Sequence, residues 1–217
     1  MSSDPYPGTA ERVCEVVAGG RLPHGSSVAQ LTVRGVPALL AYRLNVAEAE
    51  RRARNGVGPV LDPAELEGLS HLPVGLPVAA ESLTPRERRL IRRCSPDVVE
   101  RRGSEFVRRL AAPLEVHLAV VRAVRPSRGA LLRAGRFGAY TASAVWLDGP
   151  AAGSELLVME AGVYGLGVAC GHGGAAPELL LAPRSSSHFR HTTAGWLFAE
   201  QVYGELTAAR RIPRPMP

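Results

Sequence analysis

Two residues in this chain stand where their chemistry is costly unless it is used. Glu160 closes the segment Gly153-Ser-Glu-Leu-Leu-Val-Met-Glu160. Read as a strand, that segment puts Leu156, Val158 and Glu160 on one face and Leu157 and Met159 on the other. A carboxyl group at the end of an apolar row has three outcomes: it sits in water at a sheet edge, it pairs with an arginine, or desolvation raises its pKa. The last condition suits a general acid. Arg43 interrupts the apolar run 36–46. A guanidinium in such a run requires an anion for its planar fork, and that anion is either a structural glutamate or the carboxylate of a substrate.

The elements that must position these two residues follow from pattern. Residues 1–8 carry two prolines and no periodicity, which predicts a loose arm. Val13, Val16 and Val17 predict a short helix over 9–17, ended by Gly19-Gly20. The runs 28–33 and 36–46 flank Arg34-Gly35, which reads as a strand pair with a tight turn. Residues 47–76 read as a connection: a charged helical piece, then Asn55-Gly56, then a proline-punctuated stretch. A strand over 76–83 delivers the chain to a helix over 85–94, signalled by Thr84, Pro85 and Glu87 at the positions of a capping box. Phe106, Val107 and Leu110 suggest a short helical stripe before Pro113.

After Pro113 the pattern changes to period two and to β-branched runs. Strands are expected over 114–124, 138–147, 155–169 and 178–181, reversing at Asp148-Gly149 and at 171–174, so that they run as an antiparallel meander. A last helix is capped by Thr193 and presents Trp196, Leu197, Val202, Tyr203 and Leu206, and Pro213 and Pro215 end it. Helices grouped apart from an antiparallel sheet define an α+β fold, one domain over 9–210 with a tail from 211, in which one sheet face is free to line a cavity.

Taken in order, these segments resemble the chorismate pyruvate-lyase family. The matching stretches are Gly25-Ser-Ser-Val-Ala-Gln-Leu-Thr-Val33 with Leu40-Ala-Tyr-Arg43-Leu44, then Leu76-Pro-Val-Ala-Ala-Glu-Ser-Leu83, Pro113-Leu114, and Gly153 to Glu160 with its hairpin partner 140–147. The resemblance implies a cofactor-free enzyme on an antiparallel sheet that eliminates pyruvate from chorismate to leave 4-hydroxybenzoate. It implies that Glu160 protonates the departing enolpyruvyl group, that Arg43 holds a carboxylate of a small anionic, aromatic-precursor substrate, and that backbone N–H groups near Leu114 and Glu115 hold it further. Neither a metal nor a redox cofactor is called for.

Composition bounds the alternatives. With 217 residues, 46% of them hydrophobic and 21% charged, the chain has the make-up of a folded domain rather than a disordered or disulfide-scaffold protein. No stretch reaches the ~18 uninterrupted apolar residues of a membrane span, and the N-terminus lacks a charged start with an apolar run, so the reading is cytoplasmic, without a membrane partner. The three cysteines, Cys14, Cys94 and Cys170, are expected to be free thiols.

The formal charge of +6 rests on 26 arginines and no lysine, which in an Ala-, Gly- and Pro-rich chain reflects coding bias as much as a choice for phosphate. Cys170, His172, His188 and His191 can be drawn as a zinc set, although a Cys-x-His pair lacks the usual gap. Residues 83–93 resemble the opening of a response-regulator helix-turn-helix, without the helices that should follow at the proper spacing. The alternative function is therefore a non-catalytic small-ligand or nucleic-acid binding protein, regulatory in role and of the same fold. The pattern leaves the oligomeric state open.

Overall fold

In the computed structural model, which describes residues 9–20, 22–171, 177–184 and 192–212, the chain reverses within two residues at Arg34-Gly35. Both residues have positive φ, 55° and 74°, as a two-residue type I′ turn requires. The turn pairs β1 (Ser27–Val33) antiparallel with β2 (Val36–Leu44), in the register Val33↔Val36 through Ser27↔Tyr42. The helix before them, α1 (Thr9–Val17), has the expected bounds.

The chain divides into two compact units, residues 1–43 with 116–190 and residues 44–115 with 191–217. The first unit is built on a six-stranded sheet in the order β1-β2-β6-β7-β8-β9, where β6 is Leu114–Ala123, β7 Ala142–Leu147, β8 Gly167–Cys170 and β9 Glu178–Leu181. β6 pairs parallel with β7, and β7 parallel with β8, while β9 returns antiparallel. Parallel neighbours need crossovers, and these are α5 (Arg128–Gly135) and α6 (Glu155–Tyr164). Right-handed crossovers that progress in one direction across a sheet lie on one face, so α5 and α6 are neighbours. The opposite face carries α1, whose Val13, Cys14 and Val17 pack with Leu39, Ala41, Leu118, Val120, Ala144, Trp146 and Ala169.

The fold is thus α+β with flanking helices and a mixed main sheet, antiparallel pairing predominating over both sheets of the molecule. The meander expected after residue 113 is corrected: α6 stands where a strand was expected over 155–169, and α5 fills the connection between the strands expected over 114–124 and 138–147. The free sheet face is corrected too, since helices cover both sides of the central strands and β7 and β8 are buried almost throughout.

The second unit contains α2 (Val46–Arg54), α3 (Pro63–Ser70), α4 (Pro85–Ile91), α7 (Thr193–Ala208) and a small antiparallel sheet in the order β3-β5-β4, formed by Pro77–Ala79, Glu105–Arg108 and Val99–Arg102. The capping box at α4 is complete: the Glu87 N–H donates to Thr84 Oγ1 and the Thr84 N–H to Glu87 Oε2. The strand expected over 76–83 is shortened to β3 and one 3-10 turn. The helical stripe expected at Phe106, Val107 and Leu110 is instead part of β5 and the segment after it. Leu66, Leu69, Ile91, Val99, Phe106 and Leu110 form the core here, joined by Trp196 and Leu197 of α7. Gly68 permits that packing, because a Cβ there would lie 3.0 Å from Leu90 Cβ.

Candidate binding surface

Arg43 is the penultimate residue of β2 and is exposed. Two residues before it Ala41, and four before it Leu39, pack under α1, so alternation places Arg43 on the α1 side of the sheet. Glu160 is not on a strand. It lies in α6, on the other side of that sheet, half-buried, with Oε1 at 3.4 Å from Nε of Arg128. Of the outcomes open to this carboxyl group, the structure takes the ion pair. Leu114 and Glu115 open β6 instead of forming a turn, the first buried and the second partly so. They belong to the second unit, whereas Arg43 and Glu160 belong to the first. Yet β6 is the sheet neighbour of β2, and the Asn45 N–H donates to Pro113 O at 2.9 Å, so the start of β6 lies beside the end of β2 that carries Arg43. It is Glu160 that the sheet separates from Arg43.

Other nucleophilic and metal chemistry has little to work with. Burial, reinforced by Glu11 and Glu15, pushes the Cys14 thiol up to about 12, and burial with Glu65 does the same for Cys94. A thiol held protonated in this way is a packing group. Cys170 is buried at the end of β8, and the remainder of the drawn zinc set, His172, His188 and His191, lies outside the described residues, as do the arm 1–8, residues 213–217 of the tail and most of the reversal at 171–174. Among the described residues no group of three or more His, Cys, Asp or Glu is placed to hold a metal.

What the first unit does gather is arginine. Between residues 116 and 147 the chain has five arginines, Arg122, Arg125, Arg128, Arg133 and Arg136, and no Asp or Glu. This signal was available to sequence reading and was missed, because the stretch was divided between two strands. In the structure it becomes the end of β6, α5 and β7. Buried Ala130, Leu131 and Ala134 turn one side of α5 to the sheet, which leaves Arg128, Arg133 and Arg136 exposed on the other.

Arg136 Nη1 reaches the carbonyl of Arg34 at 3.4 Å, and Arg34 Nη1 donates to Tyr140 Oη at 2.9 Å with its guanidinium 5.0 Å from that ring centroid. The β1–β2 turn thus continues the basic face. Arg122 is engaged elsewhere: it donates to Asp148 Oδ1, which also accepts from Trp146 Nε1, both at 2.8 Å. A shallow recess of about 270 Å³, lined by Gln30, Leu39, Val121, Arg122 and Arg133 among others, includes neither Arg43 nor Glu160.

The second unit holds its charges differently. Arg52 is fully buried. Its Nη1 and Nη2 donate to Glu200 Oε2 and Oε1 at 2.7 and 2.8 Å, its Nε to Glu48 Oε1 at 2.8 Å, and Nη2 also to Ala111 O at 2.9 Å. Glu200 further accepts from Val60 N and Trp196 Nε1, both at 3.0 Å. Burial alone would raise the Glu48 carboxyl, but hydrogen bonds from Arg51 and Arg52 outweigh it and hold the pKa below its usual value. With its donors spent inside the network, Arg52 is a structural ion.

The chain matches no family model, no curated protein and no solved structure.

Proposed function

We propose that this chain is a non-catalytic binding protein whose first unit engages an anionic partner through the outer face of α5 and the adjoining β1–β2 turn. The observation that carries the reading is the acid-free run 116–147, whose Arg128, Arg133 and Arg136 emerge together on one solvent-facing helix side. Exposed like charges repel one another, and an anionic partner relieves that repulsion and attracts the protein at long range. Elimination from chorismate lacks comparable support, because Glu160 and Arg43 lie on opposite sides of the sheet.

Retention on immobilised heparin tests the reading. The protein should elute at a salt concentration well above that of the double variant Arg128→Glu/Arg136→Glu, because screening weakens such attraction. Equal elution of the two would defeat the assignment of this face. In parallel, chorismate incubated with the protein should release no pyruvate, and turnover that disappears in Glu160→Gln would restore the lyase reading.

A further inference from the structure

The same face carries a second feature that attraction of an anion does not use. Among the described residues of the first unit, every exposed large apolar side chain is on α5, on α6 or in the turn before α5: Val124, Leu132, Leu156, Met159, Val163 and Tyr164. On α6, Leu156, Met159 and Val163 recur at helical spacing and are 71–77% exposed, while Leu157 and Ala161 fill the opposite side against the sheet. A helix apolar on both sides is normally covered on both. On α5, Leu132 stands one turn from Arg128 and one from Arg136, and the Arg128–Glu160 pair ties the two helices into one surface. Aliphatic side chains therefore alternate with arginines across the helical layer.

The occupant must satisfy both. A second copy of the chain would set the same arginines against one another. A polynucleotide would neutralise the arginines and leave the leucines, valine and methionine in water. An anionic bilayer surface takes aliphatic side chains at the acyl boundary and arginines at the phosphate level. We propose that the α5–α6 face is a peripheral docking surface for anionic lipid. This rests on the anionic-partner reading and names the partner's chemistry. No described helix is long and apolar enough to cross the membrane, so attachment is at the surface.

The experiment is co-sedimentation of the full chain with vesicles of phosphatidylcholine alone and of an equimolar phosphatidylcholine–phosphatidylglycerol mixture. About fivefold per arginine near an anionic surface gives a preference for the mixed vesicles on the order of 100-fold for Arg128, Arg133 and Arg136 together. Leu156→Ser/Val163→Ser, at exposed positions, should cut binding to the mixed vesicles at least about tenfold and leave heparin retention unchanged, and Met159→Ser should act in the same direction. Unchanged vesicle binding in both variants overturns the proposal. Retention on heparin or on duplex DNA without vesicle binding also overturns it, while leaving the anionic-partner reading intact. Failure on heparin and vesicles alike removes both.

Discussion

Arg52 in the second unit and Arg128 in the first are both helix residues with a glutamate as partner, and they serve unlike ends. Arg52 and its partners Glu200 and Glu48 are buried, and the guanidinium makes four hydrogen bonds within the fold. Arg128 is 74% exposed and meets Glu160 through one contact at 3.4 Å. A buried ion pair is poor evidence for binding, because its groups are closed off from solvent and turned to partners inside the fold. An exposed pair contributes little to stability and leaves its donors available. What separates the two is the solvent around them, which spacing in the chain does not report.

The largest way to break that contrast is Glu200→Gln. It leaves Arg52 buried with one carboxylate for a partner and weakens the acceptors of Val60 N and Trp196 Nε1, so urea unfolding should show a loss of roughly 3–5 kcal/mol. The paired change Arg52→Met/Glu200→Gln should cost less than the sum of the single changes, because no unpaired charge remains. Additive costs would mean that the two side chains do not stabilise one another.

Acid should act on the same network. Glu48 titrates below its ordinary 4.5 in the folded chain, with burial opposing and the Arg51 and Arg52 hydrogen bonds prevailing. A carboxylate depressed by folding contributes stability that is present above the unfolded value and is lost as pH falls through the folded one. Unfolding free energy should thus be level from neutrality to about pH 5 and decline below it. In Glu48→Gln, at a lower overall stability, that decline should be shallower. An unchanged slope would place the acid sensitivity elsewhere.

Sequence pattern was most informative where a local rule decides the conformation. Arg34-Gly35 needs positive φ, Thr84 and Glu87 satisfy each other's backbone donors, and Val13, Val16 and Val17 fall on one helical side; each was readable, and so was β9. The last helix was found with its cap one residue late, since Thr192 and not Thr193 accepts from the Gly195 N–H. α6 was misread because it is apolar on both sides, so its period vanishes and Leu-Leu-Val-Met mimics a buried strand. Its true markers were Glu155 in the first turn and Gly165, at φ 70°, beyond the last. α3 was hidden in a proline-rich stretch in which Asp62 caps and Pro63 opens the helix. The site reading depended on α6 being a strand, and the error in element type moved Glu160 across the sheet.

The smallest expected effect sharpens the comparison from the other side. Arg128→Gln removes an exposed guanidinium whose partner, Glu160, is itself partly solvated. Water replaces the contact on both groups, so thermal and urea unfolding should change by less than about 0.5 kcal/mol. Heparin retention should nevertheless weaken measurably, because the removed charge is one of three on that side of α5. A stability loss approaching that of Glu200→Gln would show that Arg128 braces α5 against α6, and the two arginines would then differ in degree of burial alone.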